Sequence, residues 1–131
     1  LNLNLNQHDL GSMYRATLEG IAFSFVYGIK FIEDDNFNLA LIKAGNDNLF
    51  QSSVFSQTIA TLVGKEIQLY NTTGAIGAGR ASSTNFKDLN AYVKMSTKND
   101  YLKSFTPEKD KSKYEMAFSN WTSELEKMIN R

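Results

Sequence analysis

Residues 39–79, LALIKAGNDNLFQSSVFSQTIATLVGKEIQLYNTTGAIGAG, decide the fold class of this 131-residue chain. Leu39, Ala40, Leu41 and Ile42 form a short, continuously apolar run, the pattern of a strand covered on both faces, and predict a strand over 38–43. The polar loop Gly45, Asn46, Asp47, Asn48 follows. A helix is expected from about Ser52 to Val63, with Gly64 placed to end it in a left-handed cap. Glu66 to Tyr70 reads as the next strand, and Asn71-Thr72-Thr73 leads into Gly74-Ala75-Ile76-Gly77-Ala78-Gly79, a helical opening built almost wholly from small residues. Strand, loop, helix repeated twice is the grammar of an α/β layer, with parallel strands joined by crossover helices.

Upstream, apolar residues recur three or four apart from Leu10 to Glu33, with Asp9 placed as an N-cap. Phe23, Val26 and Tyr27 fall off the main stripe, so the predicted helix is apolar on more than one side and needs cover. Before it, Leu1, Leu3 and Leu5 alternate with asparagines as in a short strand; after it, Asp34, Asp35 and Asn36 read as a turn. Downstream, 83–106 is polar and aperiodic and reads as a surface insertion. Thr106 and Pro107 then signal the start of a terminal helix over 107–130, with Tyr114, Phe118, Trp121, Leu125 and Met128 on one face.

Composition narrows the function classes. Fourteen acidic side chains balance fourteen basic ones, so no broad electrostatic attraction to nucleic acid or an anionic membrane is expected. Cysteine is absent and His8 is the lone histidine, which removes thiolate sites and histidine clusters. The apolar region around 21–32 is broken by Ser24, Gly28 and Lys30 and is short for a bilayer span. A soluble, cytoplasmic protein of one core is the expectation, and a start at Leu1 without a leader pattern reads as a chain whose beginning is missing.

The strongest candidate for chemistry is the loop at 45–48. Open α/β sheets bind ligands where a loop leaves the carboxyl end of a parallel strand, and Asn amides carry both donors and an acceptor. An ordinary strand-to-helix turn uses the same residue types and is the commoner case. The small-residue run at 72–79 allows close approach of a backbone or ligand, but the Gly-Lys-Ser/Thr ending of a phosphate loop is absent. Arg15 and Glu19 are one helical turn apart, as in a structural ion pair.

The order of three motifs adds a resemblance. MYRATLEG at 13–20, followed by IAF, resembles the helix that opens the C-terminal domain core of the FGGY carbohydrate kinases, although Ser12 stands where that family usually has an acidic, amide or His side chain. The stretch 41–70 is similar to the family's adenosine-binding strand, loop and helix, with Ser52, Gln57, Ala60 and Gly64 at matching positions. GAIGAGRA at 74–81 resembles its Gly-Ala-Leu-Gly-Ala-Ala helix, and within the family the likeness is greatest to the xylulokinase branch. The adenosine loop departs from the family in having Gly45 alone where two or three glycines are usual, and in being longer.

The resemblance implies part of an actin-like, ribonuclease-H-like C-terminal domain from an enzyme that uses ATP and Mg²⁺ to phosphorylate a sugar, with D-xylulose the first choice. Gly45, Asn46, Asp47 and Asn48 would line the adenosine pocket, and Gly74 and Gly77 would pack the neighbouring helix against it. The catalytic base, the sugar contacts and the phosphate turns would lie in sequence outside this chain, leaving it without a catalytic residue and inactive alone. Two other readings stay open: a stand-alone nucleotide-binding or interaction module, and another actin-like ATPase. An exposed sheet edge that pairs with a second copy, and hence a homodimer, is also expected.

Overall fold

The computed structural model describes residues 4, 6–33, 39–82 and 100–130. The alternation at Leu1, Leu3 and Leu5, the turn at Asp34, Asp35 and Asn36, and residues 83–99 of the expected insertion lie outside the described residues.

Helix α1 runs Leu10–Glu33. Asp9 starts it by accepting the backbone N–H of Ser12 at 2.7 Å, which satisfies a first-turn donor and lowers the carboxyl pKa below its ordinary value. His8 takes part in the approach to the helix, its Nδ1 accepting from the Asn4 amide at 3.1 Å. Strand β1 is Ile42–Gly45, and a 3₁₀ turn at Asn48–Gln51 leads into α2, Ser53–Val63. The Ser52 hydroxyl caps α2 by accepting from Phe55, and Gly64 closes it at φ 71°, ψ 24°. Strand β2, Ile67–Tyr70, is followed by α3, Gly74–Ser82, then β3, Tyr101–Phe105, and α4, Ser112–Ile129.

The three strands form one sheet in the order β1-β2-β3. β1 and β2 are parallel, Ile42 to Gly45 lying opposite Ile67 to Tyr70, so the expected βαβ unit is present. β3 is antiparallel to β2, which makes the sheet mixed rather than wholly parallel. Phe105 pairs with Ile67, and the register slips beside Tyr70, which pairs with Tyr101 and leaves Leu102 unmatched.

Three boundaries and the docking face of the last helix differ from the sequence reading. The first strand lies at 42–45 rather than 38–43, because its partner begins at Ile67 and the chain before that turns away at the left-handed Gly64. Leu39 and Leu41 therefore have no strand to pair with among the described residues. The end of the expected insertion is strand β3, Tyr-Leu-Lys-Ser-Phe, in which adjacent apolar and adjacent polar residues hide the period of two. The last helix begins at Ser112, not at Pro107. Gln57 Nε2 donates to the Thr106 carbonyl at 2.8 Å, and Glu108 N donates to Thr61 Oγ1 at 3.3 Å, so this segment is held against α2. Finally, Met128 is exposed and does not join the face of α4 that docks.

The core sits where α1 and α2 cover the sheet. Ala22, Val26, Phe55, Ile59, Ala60, Ile67 and Leu69 are buried and contiguous. The buried hydroxyls there are satisfied, Ser56 Oγ donating to the Phe50 carbonyl at 3.0 Å. α4 docks against α1 and α2 through aromatic contacts, with Phe118 and Trp121 at 5.7 and 6.1 Å from Phe23. Lys30 Nζ lies 4.6 Å over the Phe118 ring. Among the described residues no helix is long and apolar enough to cross a membrane.

Candidate functional site

A cleft of about 490 Å³ opens at the carboxyl ends of β1 and β2, the place where parallel strands hand their loops to ligands. Gly45 ends β1 at its base. One wall is apolar and aromatic, formed by Phe25 of α1, Phe50 of the 3₁₀ turn and Phe55 of α2. These three rings pack edge to face, with centroids 5.3 to 6.3 Å apart. The opposite wall is Thr72, Thr73, Gly74 and Gly77, and Asp47 and Asn48 form a polar rim.

Local chemistry fixes that rim. Asp47 caps the 3₁₀ turn, its Oδ1 accepting from Asn48 N at 2.7 Å and its carbonyl from Phe50 N at 3.2 Å. Asn48 sits at φ 49°, a left-handed conformation that asparagine tolerates better than most side chains. Opposite, Thr73 Oγ1 accepts from Ile76 N at 3.3 Å and its carbonyl from Gly77 N at 2.9 Å, opening α3 beside the cleft. Arg80 of α3 pairs with Asp100, tying the helix to the turn before β3.

Of the four loop residues singled out from sequence, Gly45, Asp47 and Asn48 line the cleft and Asn46 does not. Asn46 is used by the backbone instead: its N–H donates to the Tyr70 carbonyl at 2.8 Å, and its carbonyl accepts from Gln51 Nε2 at 3.4 Å. The role of Gly45 also differs. A Cβ there would stand 2.4 Å from the Thr72 carbonyl oxygen, so glycine is needed for the close approach of the chain's own backbone. Gly74 and Gly77 were expected to pack a neighbouring helix closely, yet among the described residues a Cβ on either meets nothing within 4 Å. A 3₁₀ turn separates the loop from α2, whose N-terminus is capped by Ser52. The aromatic wall was missed from sequence. Its signal was present in Phe50 and Phe55 flanking the cap, but Phe25 joins them only through the packing of α1 on α2.

The lining suits a flat, part-apolar ligand with polar edges. Its volume lies within the range of small-molecule sites, the three rings offer an apolar face, and Asn48 and Thr73 stand at its edge. A nucleoside fits that description. Among the described residues neither Lys nor Arg lines the cleft. No group of three His, Cys, Asp or Glu side chains among the described residues is placed to hold a metal.

A second cleft, about 360 Å³, lies between α1 and the start of α4, lined by Arg15, Glu19, Glu108, Lys113 and Tyr114. Its charged groups largely satisfy one another. Arg15 Nε donates to Glu19 Oε1 at 2.7 Å, which raises the guanidinium pKa, and the Tyr114 hydroxyl donates to Glu108 Oε1 at 3.0 Å. Partial burial and that carboxylate raise the phenol pKa. The Arg15–Glu19 contact is the structural ion pair expected from the spacing and lies within α1, whereas the Tyr114–Glu108 bond ties α4 to the segment between β3 and α4.

No protein-family model matches the chain, and no curated protein matches it. Among solved structures it is similar to the xylulose kinase of Rhodospirillum rubrum, with a TM-score of 0.72 and 20% sequence identity. The match covers 100% of this chain and 28% of that one. The chain therefore has the fold of one part of a xylulose kinase and spans 28% of that enzyme's length.

Proposed function

We propose that this chain forms the adenosine-facing wall of an ATP-dependent sugar kinase of the FGGY type, in which a further lobe supplies the sugar site, the catalytic base and the groups that hold Mg²⁺ and the phosphates. The observation that carries this reading is the cleft at the carboxyl ends of β1 and β2, with the Phe25, Phe50 and Phe55 rings on one side and Asn48 and Thr73 at its rim. The likeness in fold to part of a xylulose kinase supports it, as does the order of the three sequence motifs. In such an enzyme the transferred group is the γ-phosphoryl of ATP and the acceptor a hydroxyl of a small sugar, with D-xylulose the first to try. A cytoplasmic location goes with that substrate. Phosphoryl transfer is mostly positioning and charge neutralisation, and the described lining of the cleft holds no cationic side chain to do either for the phosphates. This chain alone is therefore expected to bind the nucleoside part weakly and to turn nothing over.

Two experiments test the reading. Adenosine and ADP titrated into the isotopically labelled chain should shift amide resonances at 45–49 and 72–77, with ADP adding little to adenosine. Shifts confined to other residues would sink the assignment of the cleft. ADP release by a polypeptide carrying this chain and its complementary lobe, given ATP, Mg²⁺ and a panel of sugars, tests the enzyme class. Binding without turnover on any sugar would favour the second reading, a nucleotide-binding or interaction module. The lack of a cationic or metal-holding group among the described residues of the cleft is what supports that second reading.

A further inference from the structure

The two walls of the cleft are seated differently. The aromatic wall is anchored in the core, where Phe25 and Phe50 lean on the fully buried Phe55. The opposite wall continues into α3, which has no buried residue. Among the described residues a Cβ on Gly74, Gly77 or Gly79 would meet nothing within 4 Å, so close packing against them does not set where α3 lies. Asp100 instead reaches both ends of this stretch. Its carbonyl accepts from Asn71 N at 2.6 Å, just ahead of Thr72 and Thr73. Its carboxylate accepts from Arg80 in the last turn of α3, where a cation also meets the negative end of the helix dipole. Asp100 is held in turn by the sheet, because the next residue, Tyr101, pairs with Tyr70 and their rings meet at 5.9 Å.

Gly74, Gly77 and Arg80 follow one another at intervals of three, so the row that walls the cleft runs on into the residue that is held. At 1.5 Å per residue, Gly77 lies about 4.5 Å and Arg80 about 9 Å along the helix from Gly74. A swing of α3 about its first residue that carried Arg80 roughly 3 Å from Asp100 would therefore move Gly77 by about 1.5 Å. Such a shift takes a neighbouring atom out of van der Waals contact. Arg80 is not among the residues that line the cleft, so it acts on a ligand there through the wall. Its side chain is 39% exposed and that of Asp100 18%, and a pair so placed biases a two-state element by up to about fivefold. A ligand that needs the wall in place loses affinity in proportion to the fraction of molecules that hold it there.

Resting on the reading of this cleft as a nucleoside site, we infer that Arg80 and Asp100 are its positioning residues: their ion pair holds α3 where one flat ligand touches both walls. Adenosine titrated into the isotopically labelled chain tests this. Because adenosine carries no charge, the effect of a substitution reads the wall and not an ion pair with the ligand. Arg80→Ala and Asp100→Ala should each weaken the affinity read at 45–49 and 72–77 by about 3–5-fold, with circular dichroism unchanged. The double variant should bind no more weakly than either single one, and Arg80→Lys, which keeps the charge, should stay within about twofold of wild type. Before any ligand is added, both alanine variants should shift the amides at 72–77 and leave those at 47–50 in place. Wild-type binding that survives both substitutions unchanged, or losses that simply add, would overturn the inference and leave the cleft assignment standing. No response to adenosine at either segment of the wild type removes that assignment, and this inference with it.

Discussion

Replacing Gly45 by alanine tests the geometry on which the candidate site depends. The new Cβ would lie 2.4 Å from the Thr72 carbonyl oxygen, and the obstacle is backbone that no rotamer change can move aside. An ordinary contact needs at least about 3.2–3.4 Å, so β1 and the segment after β2 must separate by close to 1 Å. Those two segments are joined there by the Asn46 N–H donating to the Tyr70 carbonyl at 2.8 Å, a bond that such a shift breaks or stretches. Overpacking of this kind costs about 1–3 kcal/mol, and a lost backbone bond adds about 1 kcal/mol. We expect Gly45→Ala to destabilise the chain by roughly 2–4 kcal/mol, a fall in Tm of about 8–15 °C for a domain of this size. Gly79→Ala is the matched control. Among the described residues its Cβ meets nothing within 4 Å in α3, so the same substitution should gain up to about 1 kcal/mol from helix propensity. Urea unfolding followed by circular dichroism measures both, with the slope of the transition checked for constancy. Equal stability for Gly45→Ala and the wild type would refute the argument that the strand end has no room for a side chain.

Three further outcomes follow from other parts of the structure. Ser52→Ala removes the hydroxyl that accepts from Phe55 N and should cost about 1 kcal/mol in the same urea assay, whereas Ser52→Asp should cost much less. The Asp9 carboxyl has its pKa lowered by its bonds to Ser12, so the charged cap helps the fold above the ordinary pKa of 3.8 and that help is lost as pH falls through the lower folded value. Asp9→Asn should therefore flatten part of the acid limb of Tm against pH; an unchanged limb would deny Asp9 that role. Phe118→Ala removes the ring between Phe23 and Lys30 and should cost about 2–3 kcal/mol, with a red shift of Trp121 fluorescence as α4 loosens from α1. Emission unchanged from wild type would mean that α4 docks by other contacts.

Elements whose signals are local were legible in the sequence. Asp9, the three-and-four spacing from Leu10 and the charge-poor middle of the helix define α1 to its observed ends. Ser52 and Gly64 bracket α2 because a hydroxyl cap and a left-handed closing residue are properties of single positions. The parallel pairing of β1 with β2 follows from their connection through α2. What depended on residues distant in sequence was not legible. β3 exists because Ile67 to Tyr70 offer it an edge, and its own sequence, with Lys103 at the centre, carries only a weak alternation. Pro107 looks like a helix start until Gln57 and Thr61 hold the neighbouring backbone against α2.

The site divides along the same line. The sequence by itself determined that a glycine and polar turn leave the first strand, since those residue types are what a tight turn requires of its own backbone. Only the tertiary structure decided which of them face the cleft. Asn46 is drawn into the β1–β2 ladder, Gly45 is committed to the Thr72 backbone, and Asp47 and Asn48 remain at the rim. The aromatic wall is a product of helix packing, because Phe25 is separated by a strand and a loop from the rings it meets. Periodicity and capping act over a few residues and are written in the chain. Close approach and enclosure arise between segments, and depend on where the whole fold puts them.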